Sequence, residues 1–167
     1  MAALTAGKNA PEFKLPLLDG GAFSLRDTLA SGPVVLAFFK VSCPTCQYAF
    51  PFLDRLNTAH RQSGVSVIGI SQNEKKETEE FNRRYGVHFP VALDQPGYPA
   101  SNAYGLTNVP SIFLIAPGGK IEVSSVGWAK ADIEEIHRRL RESAAASTEI
   151  PAALWQRTES VLDFKAG

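Results

Sequence analysis

Val34-Val35-Leu36-Ala37-Phe38-Phe39-Lys40-Val41-Ser42-Cys43-Pro44-Thr45-Cys46 is the stretch that decides the fold of this chain. Val34–Phe39 is apolar at every position, with no alternation. Such a run reads as a strand buried on both faces, and therefore central in a parallel or mixed sheet. It leads directly to Cys43. From Pro44 onward, Phe50, Leu53 and Leu56 recur at helical spacing, which predicts a helix to about His60 with Pro44 in its first turn. Pro51 lies inside that helix and is expected to kink it.

Downstream, residues 65–70 form a second apolar strand. Residues 74–85 form a charged surface helix ended by Gly86. A short strand follows over 89–93, then a turn over 94–98 and a single helical turn over 100–104. The strand at 111–115, the Pro117-Gly118-Gly119 turn and the strand at 121–125 make a hairpin. Ile133, Ile136, His137 and Leu140 mark an amphipathic helix. Upstream, Phe13, Leu15 and Leu17 alternate with polar neighbours, and Asp19-Gly20-Gly21 supplies a tight turn, so the N-terminus reads as another hairpin. Ser24 and Asp27 resemble a capping box that starts a short helix. The expected fold class is α/β: a central mixed β-sheet flanked by helices, with an N-terminal hairpin. It forms one domain over residues 1–142, with residues 143–167 as an addition.

In that addition residues 143–149 read as a linker. Leu154, Trp155, Thr158, Val161 and Leu162 fall at i, i+1, i+4, i+7 and i+8, which predicts a C-terminal helix over 151–162. A helix this short needs a surface to dock on. Packing on its own domain is the expected arrangement; a dimer contact or a cover over part of the active-site surface are the alternatives.

Lys plus Arg and Asp plus Glu both total 17, so the formal net charge is zero and offers no field for nucleic acid or an anionic membrane. No apolar stretch approaches the roughly 20 residues of a membrane-spanning helix. Residues 1–11 lack the charged and apolar regions of a signal peptide. The chain as it stands is thus expected to be cytoplasmic; with a leader removed, it would be periplasmic or extracytoplasmic.

The chain has two cysteines, three positions apart. They are too few for a disulfide scaffold, and a zinc site would want four ligands. His60, His88 and His137 are scattered and form no metal-binding pattern. The pair at a strand-to-helix turn points to redox chemistry. The first sulfur sits where the helix leaves free N–H groups and a positive dipole end, which favour the thiolate. The second, one turn in, is placed to attack a mixed disulfide. Cys43 is the expected nucleophile and Cys46 the resolving thiol.

V-V-L-A-F-F-K-V-S-C-P-T-C, with N-V-P-S-I-F-L-I and G-G-K-I far downstream, resembles the thioredoxin-like proteins. The N-terminal hairpin and the stretch 89–104 are similar to the thiol–disulfide oxidoreductase branch typified by bacterial cytochrome-maturation thioredoxins. That branch belongs to the group related to alkyl hydroperoxide reductase and thiol-specific antioxidant. The resemblance covers roughly residues 8–142 and implies a thioredoxin fold. It implies a cis Val109–Pro110 peptide facing the cysteine pair, with the Val109 backbone turned toward a bound strand. Pro44, Thr45, Val109 and Pro110 are then the substrate-binding residues. The implied partner is a disulfide-containing or dithiol protein met by a monomer or homodimer, with no cofactor, no metal, no nucleic acid and no membrane.

The chain departs from the family pattern at several positions. Ala37 stands where thioredoxins bury an aspartate, Ser42 where they have a tryptophan, Gln47 where a basic residue is usual, and Ala49 where the cytochrome-maturation branch often has a glutamate. The usual proton acceptor for the resolving thiol is therefore missing. Lys40 is read as a solvated lysine at a strand end. A peroxiredoxin-like peroxidase is the enzyme alternative, but Leu36 and Lys40 occupy its Pro and Thr positions and no arginine lies between Tyr85 and His137. The non-enzyme alternative is an interaction module, with Tyr48, Phe50, Tyr98 and Tyr104 around the cysteine face.

Overall fold

The computed structural model describes residues 2–145 and 148–167; Ala146 and Ser147, within the expected linker, lie outside the described residues. The elements run β1 (Lys14–Pro16), β2 (Ala22–Ser24), α1 (Leu25–Leu29), β3 (Val34–Phe39), α2 (Pro44–His60), β4 (Ser66–Ser71), α3 (Lys75–Tyr85), β5 (Val91–Leu93), α4 (Pro99–Ala103), β6 (Ser111–Ile115), β7 (Ile121–Val126), β8 (Trp128–Ala129), α5 (Lys130–Ser143) and β9 (Phe164–Lys165). Strand order in the central sheet is β5-β4-β3-β6-β7. β3 pairs parallel with β4 and antiparallel with β6, so the sheet is mixed, as expected. β1 and β2 form the N-terminal hairpin.

β3 holds the centre because all six of its side chains are fully buried. The strand pleat sends them alternately to two cores. Val35, Ala37 and Phe39 face the helices α2, α3 and α5, with Leu53, Phe81 and Ile136. Val34, Leu36 and Phe38 face α1, α4 and the N-terminal hairpin, with Leu25, Ala100 and Tyr104. The Phe39 ring centroid lies 4.3 Å from that of Phe50 and 4.8 Å from that of Phe81, which fixes α2 and α3 against the end of β3 that leads to Cys43.

Local signals behave largely as the sequence implies. Gly86 ends α3 in the left-handed region at φ 65°, where a side chain would be strained. Pro44 opens α2 and Pro51 lies within it. The cap of α1 differs in one respect. Ser24 accepts from the Asp27 N–H at 3.3 Å, but the reciprocal carboxylate is Glu12, which takes the Ser24 hydroxyl at 3.0 Å and the Arg26 N–H at 2.6 Å.

The C-terminal addition corrects the expectation of a helix over 151–162. That stretch has no helix; it runs as an irregular strap of bends and turns along α2 and leads on to β9, which pairs antiparallel with β8. The reason is where its backbone groups find partners. The Leu162 N–H donates to the Tyr48 hydroxyl at 2.8 Å, and the Trp128 Nε1–H donates to the Leu162 carbonyl at 2.6 Å. The Lys130 N–H donates to the Asp163 carbonyl at 2.9 Å. A helix over 151–162 would pair the Leu162 N–H internally but would leave the Leu162 carbonyl among its unpaired last four, whereas here both have partners. Trp155 packs edge-on to Phe52, and Arg55 pairs with Glu159 at 2.7 Å. Leu162 is 48% exposed, so the strap contributes less apolar burial than the docked helix would have.

Two histidines that look unrelated in sequence meet beneath the strap. His60 at the end of α2 and His137 on α5 are both buried, with His60 Nε2 and His137 Nδ1 2.7 Å apart. His137 Nε2 lies 2.8 Å from the Pro151 carbonyl, which can only accept. His137 therefore carries its proton on Nε2 and accepts from the His60 Nε2–H, with both rings neutral. Burial, with His137 beside it, lowers the His60 pKa from 6.5 to about 4, and burial lowers that of His137 as well. As pH falls below 6.5 the unfolded chain takes up the proton first, so the stability present above 6.5 is lost progressively until folded His60 itself protonates near 4. Denaturant unfolding across this range should show stability falling as pH drops from 6.5 toward 4, with the buried histidine pair as a source of the loss. His60→Gln keeps a donor for His137 but cannot titrate, so it should flatten that part of the curve. An unchanged slope would remove His60 from this account.

Candidate active site

The end of β3 and the start of α2 build the site. After Phe39 the chain crosses Lys40, Val41 and Ser42 and enters α2 with Cys43 as its N-cap. Two side chains hold this crossing. Asn73 Oδ1 accepts from the Val41 N–H at 3.0 Å, and Gln47 Nε2 donates to the Val41 carbonyl at 2.9 Å. Both polar groups of Val41 are therefore fixed, and with them the approach to Cys43. Neither role is visible in the sequence, because Asn73 comes from the loop after β4.

Cys43 is half-buried and Cys46 fully buried, and both are free thiols. The Cys43 sulfur accepts from the Cys46 N–H at 3.3 Å, one of the free donors of the first helical turn. Its S–H donates to the Val109 carbonyl 3.4 Å away. Val109–Pro110 is a cis peptide, and it opposes Cys43 as the resemblance implied. Val109 is half-buried and Pro110 buried, ahead of β6. Ser111 supports this corner by donating from its hydroxyl to the Asn108 carbonyl at 2.7 Å.

The two thiols have opposite surroundings. Cys46 packs in the α2-side core with Val35, Ala37 and Ala49. Burial pushes its thiol well above the ordinary range, and a side-chain hydrogen bond with Cys43 pushes the same way. Among the described residues, the groups that shift it include no carboxylate. Ala37 and Ala49 leave that side apolar.

The other expected site residues fall into place unevenly. Pro44 is exposed at the helix start, while Thr45 is buried and its hydroxyl donates to the Ala166 carbonyl of the strap. Lys40 is exposed. Leu36 is buried inside β3, far into the second core. The four aromatic residues do not ring the cysteine face. Phe50 and Tyr104 are fully buried, Tyr48 lies under the strap, and Tyr98 is 40% exposed. Among the described residues, no helix is long and apolar enough to cross a membrane.

The chain is similar to known proteins in sequence and in fold. The profile of the AhpC/TSA family matches residues 6–124. The thiol–disulfide oxidoreductase ResA of Halalkalibacterium halodurans is 32% identical over 83% of this chain and 79% of its own. ResA of Geobacillus thermodenitrificans is 32% identical over 80% and 76%. A solved structure of a putative thiol:disulfide interchange protein DsbE from Chlorobium tepidum superposes with a TM-score of 0.74 at 27% identity, covering 84% of this chain and 98% of that one.

Cys43 should be the thiol that reagents meet first. With iodoacetamide on the folded reduced protein, peptide mapping is expected to show Cys43 alkylated at least about tenfold faster than Cys46. The difference should vanish in denaturant. Faster labelling of Cys46 in the folded protein would reverse the assignment.

Proposed function

Within the AhpC/TSA family, to which this chain belongs as a thiol–disulfide oxidoreductase, we propose that Cys43 is the attacking sulfur, Cys46 the resolving one, and a protein disulfide or dithiol the partner. One observation carries the reading: the Cys43 sulfur lies between a helix N-terminal N–H and the Val109 carbonyl. The N–H stabilises the thiolate. Loss of the S–H on ionisation frees the Val109 carbonyl to accept an N–H from an incoming strand. Substrate docking and nucleophile formation are thereby coupled at one oxygen.

In the reducing direction, the Cys43 thiolate attacks one sulfur of the partner's disulfide. That S–S bond breaks, a Cys43–partner disulfide forms, and the other partner sulfur leaves as a thiolate. Cys46 then loses its proton and attacks the Cys43 sulfur. The Cys43–Cys46 disulfide forms, the second partner thiolate leaves, and the partner has gained two electrons. With no carboxylate acting on Cys46, the thiolate expelled in the first step is the base that the reaction itself supplies. Pro44, Val109 and Pro110 border the partner strand, and Thr45 lies beside them.

The extracytoplasmic alternative is the compartment we favour. Both cysteines belong to the reactive pair, so no spare thiol is present to mispair where disulfides persist.

Two variants test the roles. Cys46→Ser should accumulate a mixed disulfide with a protein substrate, resolved by added dithiothreitol and visible on a non-reducing gel. Cys43→Ser should reduce insulin no faster than dithiothreitol alone. A Cys43→Ser protein that keeps turnover, or a Cys46→Ser protein that forms no mixed disulfide, contradicts the assignment.

A further inference from the structure

The strap does not stop beside α2. Its last residues run onto the strip of backbone next to the reactive sulfur. β9 pairs with β8 through Trp128–Lys165 and Ala129–Phe164. Beyond it, the Thr45 hydroxyl donates to the Ala166 carbonyl and Asn108 Nδ2 donates to the Gly167 carbonyl at 3.3 Å. Gly167 lies so close to the Val109 carbonyl that a methyl group on it would collide with that oxygen. The same oxygen receives the Cys43 S–H. On the other side, Gly127 admits the strap only because it lacks a side chain: a Cβ there would sit 2.7 Å from the Lys165 carbonyl, and its φ of 76° disfavours one as well.

We propose that residues 164–167 are a built-in gate that occupies the position of a partner strand beside Cys43, so that a protein disulfide reacts only after this segment lifts, whereas a small disulfide reaches the sulfur with the segment in place. The inference rests on the exchange chemistry at Cys43 proposed above. Three features favour it over simple packing. The Thr45 hydroxyl, which is bonded to the segment, and the Val109 carbonyl, which Gly167 crowds, are the groups expected to meet a substrate. Cys43 remains half-exposed with the gate closed, so a small reagent has access. The segment is also lightly held. Phe164 is 64% exposed, and Ala166 and Gly167 are exposed too, as suits a local opening of low cost. Upstream, the bonds at Leu162 and Asp163 to Tyr48, Trp128 and Lys130 anchor the strap, so the last four residues can leave without uncovering the Trp128 indole N–H.

A groove that is open a tenth of the time binds its partner with about tenfold lower apparent affinity. Deleting residues 164–167 should therefore raise kcat/KM for insulin reduction about tenfold. The rate with 5,5′-dithiobis(2-nitrobenzoate) should stay within a factor of two of the intact chain. Gly167→Ala, a single methyl at the chain surface, should give a smaller rise of the same kind by pushing the segment off Val109. Lys165→Pro gives a third route. The hydrogen-bonded Lys130–Asp163 pair makes Trp128–Lys165 the next hydrogen-bonded pair of the ladder, and proline has no N–H to give it. An insulin rate that is unchanged or lower in all three variants, or that rises in step with the small disulfide, overturns the gate. An intact chain that exchanges with neither substrate overturns the chemistry at Cys43, and the gate with it.

Discussion

Burial of β3 on both faces is the constraint from which the site follows. A strand that surrenders all six side chains to two cores has no freedom to slide, because a one-residue shift would exchange the contents of those cores. Its end is therefore fixed, and so is the turn that begins there. Phe39 against Phe50 and Phe81 sets where α2 starts, and Asn73 and Gln47 hold Val41 between the two. Cys43 reaches its place as the N-cap of α2 because the chain has nowhere else to turn. On the neighbouring strand the corner before β6 carries Val109, and antiparallel pairing of β3 with β6 brings that corner to the same end of the sheet. The meeting of sulfur and carbonyl is a consequence of sheet registration.

The pair is built asymmetrically. Cys43 stands half-open between a donor and an acceptor, while Cys46 is fully buried in the same core as Val35, Ala37 and Ala49. Neither alanine position carries an acid. Without one, the proposed exchange leaves Cys46 protonated until a mixed disulfide has formed and a thiolate has been expelled next to it. In the exchange proposed above, the lifetime of the mixed disulfide then becomes a property of the partner's leaving thiol.

Much of this was legible in the sequence, for identifiable reasons. The unbroken apolar run at 34–39, the proline after Cys43 and the glycine after Tyr85 are local signals that act within a few residues. They gave the central strand, the start of α2 and the end of α3. The opposition of Val109 to Cys43 followed from a family resemblance, and spacing alone would not have supplied it. What was missed depends on residues distant in sequence. The helical stripe at 154–162 is real as a pattern, but Tyr48, Trp128 and Lys130 offer the strap's backbone better partners than a marginal helix of its own. His60 and His137 form a pair only because α2 and α5 pack side by side. Asn73 clamps Val41 from the loop after the neighbouring strand β4, 32 residues away in sequence. No periodicity encodes these contacts.

The most direct test of the central claim is the redox equilibrium of the pair itself. The protein would be brought to equilibrium with mixtures of reduced and oxidised glutathione, quenched with an alkylating reagent and weighed intact. A reactive pair predicts a single two-electron transition, in which the species carrying two alkyl groups passes to one carrying none that is two hydrogens lighter than the unalkylated reduced chain. Proteolytic mapping should place the new bond between Cys43 and Cys46. A protein that stays doubly alkylated across the whole range, or that ends as separate glutathione adducts on each cysteine, would contradict the account.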